Sequence, residues 1–162
     1  MTRVIRTGLI TAFATLSAVA VVQAATVAGS EADARKAIEA RQDLFKQIKD
    51  LNEPIRLILT RKAPMDATVV ATNAGKIQEL IKQIPGRFTV DTRGFKGTKT
   101  LAIDGIWNSE VDFKGKADAA AGAAGDVVAA AKGGDNGAIM KSLAAMGKSC
   151  GSCHDSYKAS ND

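Results

Sequence analysis

The chain has 162 residues, 46% of them hydrophobic and 24% charged, with a formal net charge of +5. That length suits one domain with its own core. Charges of both signs are interspersed and no basic run stands out, so the mild excess does not argue for a nucleic-acid partner.

The first element is a leader. Arg3 and Arg6 form a positive start, Leu9 to Val22 an apolar core broken only by Thr11, Thr15 and Ser17, and Val22-Gln23-Ala24 a small-residue cleavage signal. Such a segment is removed on export. The apolar run is shorter than the roughly 20 residues of a spanning helix. Residues 1–24 are therefore expected to be a cleaved signal peptide and residues 25–162 the mature domain, with no membrane anchor. Losing Arg3 and Arg6 takes two charges from the +5 total.

Four stretches then show helical periodicity, and none shows a strand's alternation. The first runs from about Glu31 to Arg61, with Ser30 and Asp33 placed as a capping box. Ile38, Phe45, Ile48, Leu51, Ile55 and Ile58 form its apolar stripe, beside Leu44 and Leu59. Pro54 is expected to kink or break it. The second helix follows Pro64 and Asp66, with Val69, Asn73, Ile77, Leu80 and Ile84 on one face and Pro85-Gly86 as its stop. The connection from Arg87 to Asn108 is long, and Phe88, Phe95, Leu101, Ile103, Ile106 and Trp107 predict that parts of it pack down. Ser109 is placed to cap a third helix to about Lys132, with Phe113, Ala117, Ala120, Ala124, Val127 and Ala131 as its stripe. Gly115, Gly122 and Gly125 let some neighbour approach, another helix or a second subunit. Asp135 caps the fourth helix, in which Ile139, Leu143, Met146, Cys150, Cys153 and Tyr157 repeat in steps of four and three. The pattern predicts an all-α, antiparallel four-helix bundle.

The last helix carries Cys150-Gly151-Ser152-Cys153-His154, and the chain has no other Cys or His. C-x-x-C-H is the attachment signature of a c-type haem. Thiols at i and i+3 point the same way along a helix, so each can add to one vinyl group of a porphyrin edge, with the next imidazole aimed at the iron. A thioredoxin-like redox pair would sit in a βαβ setting, which is missing here. A zinc site needs more ligands than these three residues offer, unless it stays open.

With these features the chain resembles the class II c-type cytochromes, specifically the cytochrome c' family. The resemblance rests on the haem motif near the C-terminus, from Gly147-Lys148-Ser149-Cys150 through His154-Asp155. It extends to Arg41-Gln42, Pro64-Met65-Asp66-Ala67, Ile84-Pro85 with Phe88, and Ile106-Trp107-Asn108-Ser109. It implies an up-down-up-down bundle with one covalent haem c on the last helix, bound through Cys150 and Cys153 with His154 as axial ligand. It implies that Arg41 and Gln42 meet a haem propionate, a role suited to the forked donors of Arg. A snorkelling Arg at the edge of the stripe is the alternative. Thr92, Arg93 and Gly94 fall where the family's loop nears the propionates. Low-spin relatives carry Met four residues after the Arg, over the distal iron face; this chain has Phe45, which cannot ligate. Met140 and Met146 share a helix with His154, and Met65 lies near a helix start. Lys49, one turn past Phe45, reads as a solvated lysine. Where the family commonly has Arg four residues after the axial His, this chain has Lys158, which keeps the charge but loses the fork.

The resemblance thus implies a periplasmic mono-haem cytochrome, five-coordinate and high-spin. It would transfer electrons with redox partner proteins, bind a diatomic gas such as nitric oxide or carbon monoxide, or do both. A low-spin electron carrier and a haem-free thiol redox protein are the alternatives. Peroxidase activity ranks last, since Phe45 supplies no distal acid or base, and the chain is expected not to be an enzyme. Family members commonly form homodimers; the first two helices are the candidate surface, although no residue pattern fixes it.

Overall fold

The computed structural model describes residues 25–95, 97 and 99–160; the expected leader lies outside the described residues. Four long helices carry the fold: α1 (Glu31–Leu59), α2 (Ala67–Ile81), α5 (Glu110–Gly133) and α6 (Asn136–Tyr157). Between α2 and α5 come α3 (Ile84–Arg87), the strand β2 (Val90–Asp91) and α4 (Gly105–Asn108). A second strand, β1 (Thr26–Val27), pairs in parallel with β2, Thr26 opposite Val90 and Val27 opposite Asp91. This short ladder is the strand structure of the described residues, and the alternation signal had no length over which to register it.

The helix starts follow local chemistry. Ser30 Oγ accepts from the Asp33 amide at 3.2 Å, the first half of the expected capping box, but the Asp33 carboxylate takes the Ser30 hydroxyl at 2.7 Å instead of closing the box on the Ser30 amide. Asp66 Oδ1 accepts from the amides of Thr68 (2.9 Å) and Val69 (3.0 Å), and Asp135 from that of Ala138 (2.6 Å). Ser109 differs from expectation: it stands at the N-cap of α5 without a side-chain capping bond. Gly134 ends α5 in the left-handed conformation, φ 75°, which costs glycine little.

Two other expectations change. Pro54 does not break α1, which runs through it as one helix with Ile55 and Ile58 buried beyond. α2 ends at Ile81, and Pro85 belongs to the first turn of α3 rather than stopping α2. The buried face of α2 is Val70, Ala74, Ile77 and Ile81: Ile77 is as predicted, while Val69, Asn73 and Leu80 give way to the residue after each, and Ile84 is buried in α3.

The core lies inside the bundle. α2 packs closely on α5 and α5 on α6, with α1 against α2; α1 and α6, which close the ring, touch at few points. The long connection packs as expected at Phe88, Ile106 and Trp107, while Leu101 is exposed. A Cβ on Gly125 would come within 2.6 Å of Gln78 Nε2, so the neighbour that this glycine admits is α2.

Candidate functional site

On α6 the seam residues Ile139, Leu143 and Met146 are buried. Cys150 and Cys153 continue that face, half-buried, as free thiols packed against the core. His154 follows on the exposed side. A Cβ on Gly147 or Gly151 would meet no atom within 4 Å, so neither glycine is demanded by a protein neighbour. The helix end is pinned: Ile103 N–H donates to Tyr157 O (3.4 Å) and Ala159 N–H to Leu101 O (2.8 Å).

Burial pushes the Cys150 thiol up. Cys153 is also raised by burial, with Lys116 opposing. Burial lowers the His154 imidazole, nearby Lys158 lowers it further, and Asp155 opposes them. Lys116 reaches across from α5, its Nζ donating to Ser152 Oγ at 3.3 Å.

Tyr157, 7% exposed, donates its hydroxyl to Asp112 Oδ2 at 2.5 Å. Burial first, and then the carboxylate, push its phenol up to about 12. Its ring meets Phe113 edge-on with centroids 5.1 Å apart; Phe113 meets Phe88 at 5.1 Å, and Phe88 meets Phe45 at 6.5 Å. An aromatic run therefore joins the α1 position of interest to the α6 turn after His154. Trp107 flanks it, its indole N–H donating to Phe88 O at 3.0 Å, as befits a core anchor.

Arg41 is 3% exposed, so it does not snorkel. Its Nε donates to Arg87 O (2.8 Å), one Nη to Thr92 Oγ1 (3.1 Å) and the other to Val90 O. The guanidinium lies 4.4 Å from the Phe88 ring centroid and 5.4 Å from that of Trp107. Burial lowers its pKa to about 10, with Asp91 opposing. Gln42 is exposed and donates to Lys99 O at 3.2 Å. Phe45 is 37% exposed, while its neighbour Leu44 takes the core position. Arg93 is tied to Asp91 and to Asn108 Oδ1 (2.7 Å). Met65 and Met140 share the lining of an open cavity with Ile58, Pro64 and Arg61, and Lys49 is exposed.

The structure thus gathers Cys150, Cys153 and His154 on one turn, and Arg41, Gln42 and Phe45 on successive turns of α1. Sequence reasoning did not single out Lys116, which reaches Ser152 of the motif from α5, Asp112, which holds Tyr157 just beyond it, or the β2 carbonyl that Arg41 holds. These partners lie too far apart in the chain for any spacing to signal them.

The family model described as Cytochrome C' matches residues 36–158, from α1 to just past the haem motif. The chain belongs to the cytochrome c' family. The cytochrome c' of Rubrivivax gelatinosus is 34% identical over 122 residues, 75% of this chain and 93% of that protein. Its solved structure superposes with a TM-score of 0.68, covering 77% of this chain and 96% of that one. Cytochrome c-556 of Agrobacterium tumefaciens (strain B2A) is 31% identical, covering 75% of this chain and 95% of that protein. A nitric oxide complex of a cytochrome c prime variant from Alcaligenes xylosoxidans shares the fold, with 24% identity, a TM-score of 0.65 and coverage of 82% and 98%. The cytochrome c' family binds haem c, and the two cysteines of α6 stand in its attachment motif. Its four-helix bundle is the architecture of this chain. Among the described residues no helix is long and apolar enough to cross a membrane.

Proposed function

We propose that the chain is exported to the periplasm, loses residues 1–24, and carries one haem c on thioethers from Cys150 and Cys153 with His154 as axial ligand. The iron is five-coordinate and high-spin. The observation that carries the reading is the α6 turn itself. Two free, half-buried thiols share one helix face, and the adjoining imidazole is biased toward the neutral form that a metal requires. The turn also speaks against a thiol redox role. It lies at the C-terminal end of a helix, where the dipole disfavours a thiolate, and both thiols are raised rather than lowered.

Haem c would supply a one-electron centre and an axial position for a diatomic ligand. The residues around it set which use prevails. Phe45 offers an apolar ring with no donor, acceptor or proton-transfer group, so it covers the distal side without ligating. That favours gas binding, of nitric oxide or carbon monoxide, and electron exchange with partner proteins over enzymatic turnover. Arg41 fixes the chain at Arg87, Val90 and Thr92 with three of its five N–H groups. The remaining two, with the amide of exposed Gln42, are the donors we assign to a propionate. A homodimer would use the outer faces of α1 and α2, where Leu51, Gly75 and Leu80 line an open groove.

Optical spectra of the reduced protein test the open position. A high-spin Soret band that shifts with carbon monoxide is expected; a low-spin band indifferent to the gas would give the role to the low-spin carrier. Phe45→Met is expected to turn the spectrum low-spin and abolish the gas shift. Phe45 lies outside the buried core, so the substitution reads out ligation rather than folding. Mass spectrometry of the mature protein checks covalent haem and leader removal together.

A further inference from the structure

The main-chain nitrogen of Ala25 lies 3.2 Å from Glu110 Oε1, in a partly buried contact between the start of the described chain and the first turn of α5. As an interior amide this nitrogen is a neutral donor. If the leader is cut after Ala24, the same nitrogen becomes the α-ammonium of the mature protein. We propose that signal-peptide removal creates an ion pair between the Ala25 ammonium and Glu110, and that this pair latches the N-terminal strand onto the bundle beside β2. The proposal rests on the leader reading given above and adds its acceptor.

The latch has a structural path to the site. Thr26 N–H donates to Thr89 O at 2.7 Å and Ala28 N–H to Asp91 O at 2.9 Å, so β1 is fastened to β2 right after the amine. β2 supplies the Val90 carbonyl, and the next residue, Thr92, the hydroxyl that hold Arg41. The competing carboxylates on the neighbouring elements are engaged elsewhere: Asp91 with Arg93, Asp112 with Tyr157, and Glu31 with Arg35. Glu110, at a helix N-terminus, is itself in the favourable place for a negative charge. A chain cut one or two residues away would lack an amine at this point.

The mature holoprotein and its Glu110→Gln variant test this. N-terminal sequencing should start at Ala25. The α-amine should titrate above the roughly 7.7–8.0 of a free terminus and return to that range in Glu110→Gln. Acylation of the amine at neutral pH should be slower in the parent, about threefold slower where its titration midpoint lies about 0.5 pH higher than in the variant. Glutamine keeps the helix start and the hydrogen bond, so a merely structural role would leave the amine's titration unmoved. Cleavage at another bond overturns both the latch and the boundary at Ala24. Cleavage at Ala24 with an ordinary amine, identical in the variant, overturns the latch and leaves the leader reading standing.

Discussion

Arg41 and Tyr157 place polar groups inside an aromatic cluster, and both are satisfied in ways that sequence alone does not reveal. A buried cation is costly unless bonded. Arg41 meets this with two carbonyls, a hydroxyl and the faces of Phe88 and Trp107. Tyr157 meets it through Asp112, 45 positions away. The chain has one tyrosine, so ¹³C NMR of the labelled ring follows this phenol alone. Its midpoint is expected near pH 12, against an ordinary value of 10.0. The folded value is the raised one, so the stability this bond contributes is complete below pH 10 and is lost as pH climbs toward 12. Asp112→Asn is expected to bring the midpoint down; a midpoint already near 10 in the parent would refute the argument.

At the scale of elements, helix starts and the α5 and α6 stripes were legible, whereas the faces of α1 and α2 were not fully so. Leu44-Phe45, Val69-Val70 and Leu80-Ile81 are adjacent apolar pairs, and a 3.6-residue period cannot say which member points inward. The fold takes Leu44, Val70 and Ile81 and leaves Phe45 37% exposed. For Phe45 that outward turn leaves its ring free for the distal role proposed above. The glycines of α5 divide in the same way. Gly122 is exposed and a Cβ there meets nothing within 4 Å. Gly122→Ala is therefore expected to raise stability by about 0.5–1 kcal/mol through helix propensity. Gly134→Ala is expected to lower it by about 1 kcal/mol, because φ is 75° there. Urea midpoints of the two variants should move in opposite directions.

In the whole molecule the seams differ. α2 and α5 form the firm centre, while α1 and α6 meet loosely. The proposed haem bridges those two helices, from Cys150, Cys153 and His154 on one side to Phe45 on the other. Its removal should thus loosen the bundle unevenly. In a Cys150→Ala/Cys153→Ala chain that cannot form thioethers, amide exchange is expected to speed up most in α1 and around residues 146–157 of α6. α2 and the middle of α5 should keep the most protection. Uniform loss across all four helices would mean that haem does not act at this seam.

The sequence by itself determined the helical class, the number of long helices, most of their caps, and the C-x-x-C-H turn with its place on the last helix. These are local matters, set by periodicity, capping chemistry and a five-residue spacing. Tertiary structure decided which apolar neighbour faces the core, that Arg41 is buried on the α3–β2 segment, that Tyr157 finds Asp112, and that Ala25 reaches Glu110. Each of those contacts joins residues at least 45 positions apart. No local rule encodes them, because only packing of the whole bundle brings the partners within reach.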